Sequence, residues 1–126
     1  MRSVIAVLGP VLLLAGCMFG PKAADFGPGG GESVLQTTSG SVRGELLTAT
    51  DSSLVVFDGQ LVTEVRFGSM HSGRINPGGG RIGGTPPDRP MLERLRRLSR
   101  FPQGLTPELL SRFMQANHVT RELRKL

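Results

Sequence analysis

Apolar and polar positions change their period along this chain, and the changes divide it into five stretches. Val4 to Gly16 run for thirteen residues without a charged or hydrogen-bonding side chain. From Met18 to Glu32 neither a strand nor a helix period is present; Gly, Pro and Ala dominate, and residues 17–32 read as a flexible tether. β-type patterning begins at Ser33 and lasts to Ser69. Val34-Leu35-Gln36-Thr37-Thr38, Val42 to Thr50, Leu54-Val55-Val56-Phe57 and Leu61 to Phe67 are predicted strands. Asp51-Ser52-Ser53 and Asp58-Gly59 supply turns, and Asp-Gly between β-rich runs is a strong hairpin signal because both residues tolerate positive φ. In the last of these strands Leu61, Thr63, Val65 and Phe67 share one face, and Glu64 and Arg66 the other. Gly44, in mid-strand, marks a sharp bend or a bulge.

Residues 70–89 are rich in Gly and Pro, and Arg74-Ile75-Asn76 and Arg81-Ile82 are long enough for edge strands at most. A stretch of that length without structure is uncommon inside one compact domain, so it is predicted to be a linker between two parts. Residues 90–126 return to a helical period. Met91, Leu95 and Leu98 fall on one face with Leu92 beside them, and Asp88 is placed to cap the start. Phe101-Pro102-Gln103-Gly104 breaks that helix. Thr106-Pro107-Glu108 then offers a cap, a proline at the first helical position and an acid in the first turn. The second helix carries Leu109, Leu110, Phe113 and Met114 and ends near His118, with a further helical turn expected over 120–126. The expected fold class is α+β: a small antiparallel β-meander or partial barrel, then a C-terminal helical hairpin, with a disordered N-terminal tether. The hairpin either packs on the sheet or offers a groove to a protein partner.

Composition restrains the size of this core. The chain has 126 residues with six Phe, no Trp and no Tyr, and 18 Gly and 9 Pro favour loops. A single small core with flexible flanks is the expected architecture. The N-terminal apolar run gains meaning here. Thirteen helical residues span about 20 Å, short of a hydrocarbon core of about 30 Å, and Pro10 would kink them. A basic start at Arg2, a short apolar run and small residues at its end predict a cleaved signal peptide over residues 1–16.

Leu14-Ala15-Gly16-Cys17 resembles the lipobox of bacterial lipoproteins: Leu, two small residues, then Cys. The resemblance implies cleavage between Gly16 and Cys17, a diacylglycerol thioether on Cys17, and anchoring to a membrane by acyl chains. Small side chains at 15 and 16 admit a peptidase to the backbone, and only a thiol forms the thioether. Two or three acyl chains hold a protein stably where one is marginal. Cys17 is the single cysteine, so an intramolecular disulfide is impossible. Asp directly after the lipidated Cys retains such proteins in the inner membrane; Met18 stands there instead, which implies the outer membrane, facing the periplasm, in a two-membrane envelope.

Val42-Arg43-Gly44-Glu45-Leu46, Asp51-Ser52-Ser53-Leu54-Val55-Val56 and the following hairpin resemble the strand-bend-strand of Sm-like or SH3-like small barrels. That likeness bears on shape alone, since fold does not carry function. Sm-like proteins bind RNA, whereas this segment carries more acidic than basic side chains and lies in a chain with an export signal.

Net charge is +5 and unevenly placed: residues 81–126 hold ten basic and four acidic side chains, residues 17–80 four and six. Arg94, Arg96, Arg97 and Arg100 cluster on the first helix and its end, a pattern suited to anionic lipid headgroups or an acidic envelope polymer, because guanidinium donates two hydrogen bonds to one phosphate. The same cluster equally fits a solvated helix face. Nucleic acid is disfavoured by the lack of aromatic stacking residues. His71 and His118 have no partner at ligand spacing, no Gly-x-Ser-x-Gly elbow occurs, and Gly78-Gly79-Gly80-Arg81-Ile82-Gly83-Gly84 lacks the Lys-Ser/Thr ending of a phosphate loop. No catalytic residue, metal site or cofactor is therefore expected. The functional expectation is a membrane-anchored envelope lipoprotein acting as a non-enzymatic binding or structural module, with a small envelope enzyme or its accessory subunit as the alternative.

Overall fold

The computed structural model describes residues 29–83 and 85–126; the signal segment, Cys17 and most of the expected tether lie outside these residues. Seven strands form one sheet: β1 (Glu32–Thr37), β2 (Gly40–Ala49), β3 (Ser53–Phe57), β4 (Val62–Arg66), β5 (Met70–Asn76), β6 (Gly80–Gly83) and β7 (Arg124–Lys125). Their order is β6-β5-β1-β2-β3-β4-β7, antiparallel throughout except for the parallel β4–β7 pair. Two helices follow the sixth strand, α1 (Arg89–Leu98) and α2 (Pro107–Ala116). The fold is α+β, a mostly antiparallel meander with two C-terminal helices.

The turns form where side chains satisfy the backbone. Between β1 and β2, Thr37 Oγ1 accepts from the Ser39 N–H at 3.0 Å and donates to the Gly40 carbonyl at 2.7 Å. Between β3 and β4, Asp58 Oδ1 accepts from the N–H groups of Gln60 and Leu61 at 2.8 and 2.7 Å, while Gly59 takes φ +100°. That is the hairpin the Asp-Gly pair predicts. Gly44 has φ +151°, and a Cβ there would run into the Phe57 carbonyl, so the mid-strand glycine marks a place where two strands approach closely.

The run Leu54-Val55-Val56-Phe57 is apolar throughout because β3 is covered on both faces. Leu54 and Val56 join Leu35, Leu46, Val65 and Ile75 on one face, closed by Leu92 and Leu95 of α1. Val55 joins Leu47 and Val62 on the other, under Phe101 and Phe113. β2 serves both cores through a bulge. Leu46 pairs with Val56 and Thr48 with Val55, so Leu47 is the extra residue.

Three expectations are corrected. Residues 70–89 are not a linker: Met70–Asn76 and Gly80–Gly83 are strands, and β5 lies inside the sheet between β1 and β6. The pattern conceals this because Gly73 occupies a core-facing position, where a Cβ would lie 2.7 Å from Leu35 Cδ2 and 3.2 Å from Met70 Sδ. The close approach of those side chains replaces an apolar side chain of its own. Residues 120–126 do not form a helical turn. Arg124–Lys125 lies along β4, with the Leu126 N–H on the Glu64 carbonyl at 2.8 Å and the Arg66 N–H on the Leu126 carbonyl at 3.2 Å. The free edge of β4 offers hydrogen bonds that outweigh local helix preference. The tether expected over 17–32 ends earlier, since Gly31 donates to the Leu98 carbonyl at 2.7 Å and accepts from the Leu46 N–H at 2.8 Å.

Candidate functional site

α1 starts at Asp88, whose Oδ1 accepts from the Met91 N–H at 3.0 Å, with Pro90 in the first turn. Burying Leu92 and Leu95 turns residues 93, 94 and 97 toward solvent. This orientation divides the four-arginine cluster. Arg94 and Arg97 are exposed, and neither has a carboxylate within ion-pair distance among the described residues. Arg96 reaches back to the sheet, its Nε donating to the Ala49 carbonyl at 3.1 Å and its Nη2 to Asp51 at 2.9 Å. Arg100 lies beyond the helix with its side chain 10% exposed, its Nε 2.6 Å from Glu45 Oε2. The same carboxylate oxygen accepts from the Gly30 N–H at 2.6 Å, and the Arg100 guanidinium sits 5.8 Å from the centre of the Phe113 ring.

These contacts give the two paired arginines structural work. The Arg100–Glu45 pair is shielded, and removing the carboxylate of such a pair costs about 2–4 kcal/mol. Arg96–Asp51 is open to water, with Asp51 89% exposed, and such a pair contributes below about 1 kcal/mol. Arg94 and Arg97 alone keep the orientation a surface contact needs.

His71 is exposed on β5, and His118 follows α2 with φ +58°, its N–H on the Gln115 carbonyl at 3.2 Å. No group of three His, Cys, Asp or Glu side chains that could hold a metal ion occurs among the described residues. Cys17 and Gly16, the lipidation and cleavage positions, lie outside the described residues.

Several concavities among the described residues are of a size to receive a ligand or a partner. The first, about 500 Å³, lies between the sheet and the helical segment and is lined by Thr48, Asp51, Glu64, Arg96, Leu105 and Leu123 among others. Its carboxylates are already engaged, Asp51 by Arg96 and Glu64 by the Ser53 hydroxyl at 2.8 Å. The second, a shallow apolar depression of about 400 Å³ beside α2, is lined by Pro107, Leu110, Met114, Val119 and Leu123 among others. It is where the expected partner contact at the C-terminal helices falls.

The third, about 720 Å³, runs across β2, β1, β5 and β6. Strand register builds it. Arg43 pairs with Val34, Val34 with Arg74, and Arg74 with Arg81, so three arginines stand in one cross-strand row. Residues paired across strands share a face. This face is the one α2 covers further along, over β2 to β4, and here none of the described residues covers it. Gln36, Ser72 and Asn76 also line the groove, and its lining includes no aromatic side chain. All three arginines are exposed, and none lies within ion-pair distance of a carboxylate among the described residues. Sequence reasoning missed this row because two of its members fall in the stretch read as a linker. The recoverable signal was the repeated Arg-Ile of Arg74-Ile75 and Arg81-Ile82 around Pro77-Gly78-Gly79-Gly80, a hairpin of two short polar–apolar pairs.

Comparison with protein-family models, curated proteins and solved structures finds no match to this chain.

Proposed function

We propose that this chain is a lipid-anchored protein of the bacterial envelope whose folded domain is a non-enzymatic binding module held at the membrane surface. The observation that carries this reading is Leu14-Ala15-Gly16-Cys17 directly after a thirteen-residue apolar run too short to span a bilayer. Acyl chains on Cys17 are the anchor. The chain from Cys17 to Gly29, where the described fold begins, reaches at most about 40 Å. The domain therefore stays close to the bilayer. Met18 after the cysteine directs the protein to the outer membrane, facing the periplasm, in a two-membrane envelope.

Two features support binding over catalysis. The carboxylates of the first groove are engaged by Arg96 and Ser53, and the arginine groove presents three guanidinium groups with no His, Cys or carboxylate among its lining residues. A protein partner at the α2 depression is compatible with this reading.

Intact mass spectrometry of the purified mature protein tests the anchor. The expected species starts at Cys17 and carries the added mass of a diacylglyceryl group, with or without a third acyl chain. Cys17→Ser abolishes that addition and leaves precursor uncleaved. An unmodified Cys17, or a mature start elsewhere, refutes the proposal.

A further inference from the structure

We infer that the bare sheet face carrying Arg43, Arg74 and Arg81 is the surface this domain lays on anionic phospholipid headgroups, in place of the exposed arginines of α1. The inference deepens the membrane reading by naming the face that meets the bilayer.

Three observations support it. First, Arg74 stands directly opposite Arg81, and Arg43 lies in the same row one strand beyond Val34. Like charges placed opposite one another disfavour the folded sheet, and among the described residues no carboxylate pairs with them. An anion from outside offsets that repulsion. Second, the row crosses four strands about 4.8 Å apart, so its charges spread over about 14 Å of an uncovered sheet. This is a low, broad arrangement suited to several phosphates lying in a plane. Third, Leu35, Ile75 and Ile82 of these strands face the core that α1 closes, so Arg94 and Arg97 on α1 point to the opposite side of the molecule. One flat membrane cannot meet both sets. Among the described residues the sheet has three arginines without an ion pair there against two on the helix, where exposed Glu93 sits beside them.

One acidic side chain works against the patch. Glu32 is exposed on the same face, one row away, where it pairs in register with Glu45 and Asn76. Glu45 is neutralised by Arg100, so Glu32 is the charge that weakens attraction to an anionic surface.

The test uses the chain from Cys17 onward with Cys17→Ser, which carries no acyl group to mask weak binding. Partition is measured onto phosphatidylcholine vesicles with and without phosphatidylglycerol. Binding to the mixed vesicles alone is expected, and it weakens as the Debye length falls from about 10 Å at 0.1 M salt to about 3 Å at 1 M. Each arginine at such a surface contributes about fivefold, so R43Q/R74Q/R81Q together lose about a hundredfold. Replacing the three by lysine keeps the charge and most of the binding. R94Q/R97Q changes it less than twofold, and E32Q strengthens it several-fold. Thermal melting checks that the triple-Gln protein stays folded; should it not, E32Q and the triple-Lys variant carry the test. No binding to the mixed vesicles at 0.1 M salt overturns the inference, as does equal binding by the wild-type and triple-Gln proteins. A loss in R94Q/R97Q matching that of the triple-Gln variant returns the contact to α1. Displacement by inorganic phosphate at constant ionic strength replaces the headgroup surface with a discrete phosphate site. An unmodified Cys17 would sink the anchor and leave this measurement standing, and failed vesicle binding would leave the anchor standing.

Discussion

Replacing Phe113 by alanine removes the one fully buried side chain of α2. The ring meets Phe57 edge-on at 5.1 Å between centroids and Phe101 at 5.8 Å, with Leu47, Val55 and Val62 completing the cluster. α2 has ten residues, too few to hold a helix in water without packing. Truncating a buried phenylalanine costs about 3–5 kcal/mol from lost transfer and the cavity left behind. The edge-to-face pairs place this site toward the upper end, since each is worth about 0.5–1.5 kcal/mol beyond area alone. A domain of about 100 residues has a total stability of about 5–15 kcal/mol, so a loss near 4 kcal/mol removes a large share. It corresponds to a fall in Tm of roughly 15–30 °C. Circular dichroism during thermal and urea unfolding of the unacylated chain reads both Tm and the denaturant slope. An unchanged slope with a lower midpoint means that α2 unfolds with the sheet; a smaller slope means that α2 has already come away in the variant. A Tm within about 3 °C of the wild type would refute the argument that this second core holds α2.

Three further outcomes follow from single residues. Gly44→Ala forces an L-residue to φ +151° and sets its Cβ against the backbone carbonyl of Phe57, which cannot rotate away, so it destabilises by about 2–4 kcal/mol, read as a lowered urea midpoint. Glu45→Ala leaves Arg100 shielded without this carboxylate and the Gly30 N–H without its acceptor, at a cost of about 2–4 kcal/mol by the same measurement. Asp51→Ala removes the exposed partner of Arg96 and changes stability by less than about 1 kcal/mol, so equal losses at Asp51 and Glu45 would overturn the division of the arginine cluster into exposed and shielded pairs.

Local chemistry by itself determined much of this protein. Asp58-Gly59 specified its hairpin, because an Asp carboxylate capping two N–H groups and a glycine at positive φ need nothing beyond their neighbours. Asp88 and Thr106 specified both helix starts for the same reason, each side chain accepting a backbone N–H three residues on. The apolar run Leu54 to Phe57 announced a strand, although only the fold shows that it is apolar because α1 and α2 cover opposite faces of β3. Tertiary structure decided the rest. β5 was illegible because Gly73 fills a core position with space reserved for Leu35 and Met70, and β7 because its partner is the free edge of β4, 61 residues earlier in the chain. The candidate site divides in the same way. Four arginines close together in sequence separate once α1 is oriented, since helix rotation sends Arg96 to the sheet and Arg94 and Arg97 to solvent. Arg43, Arg74 and Arg81, far apart in sequence, come into one row because antiparallel register is a long-range property, set by which strands pair and not by any residue's neighbours.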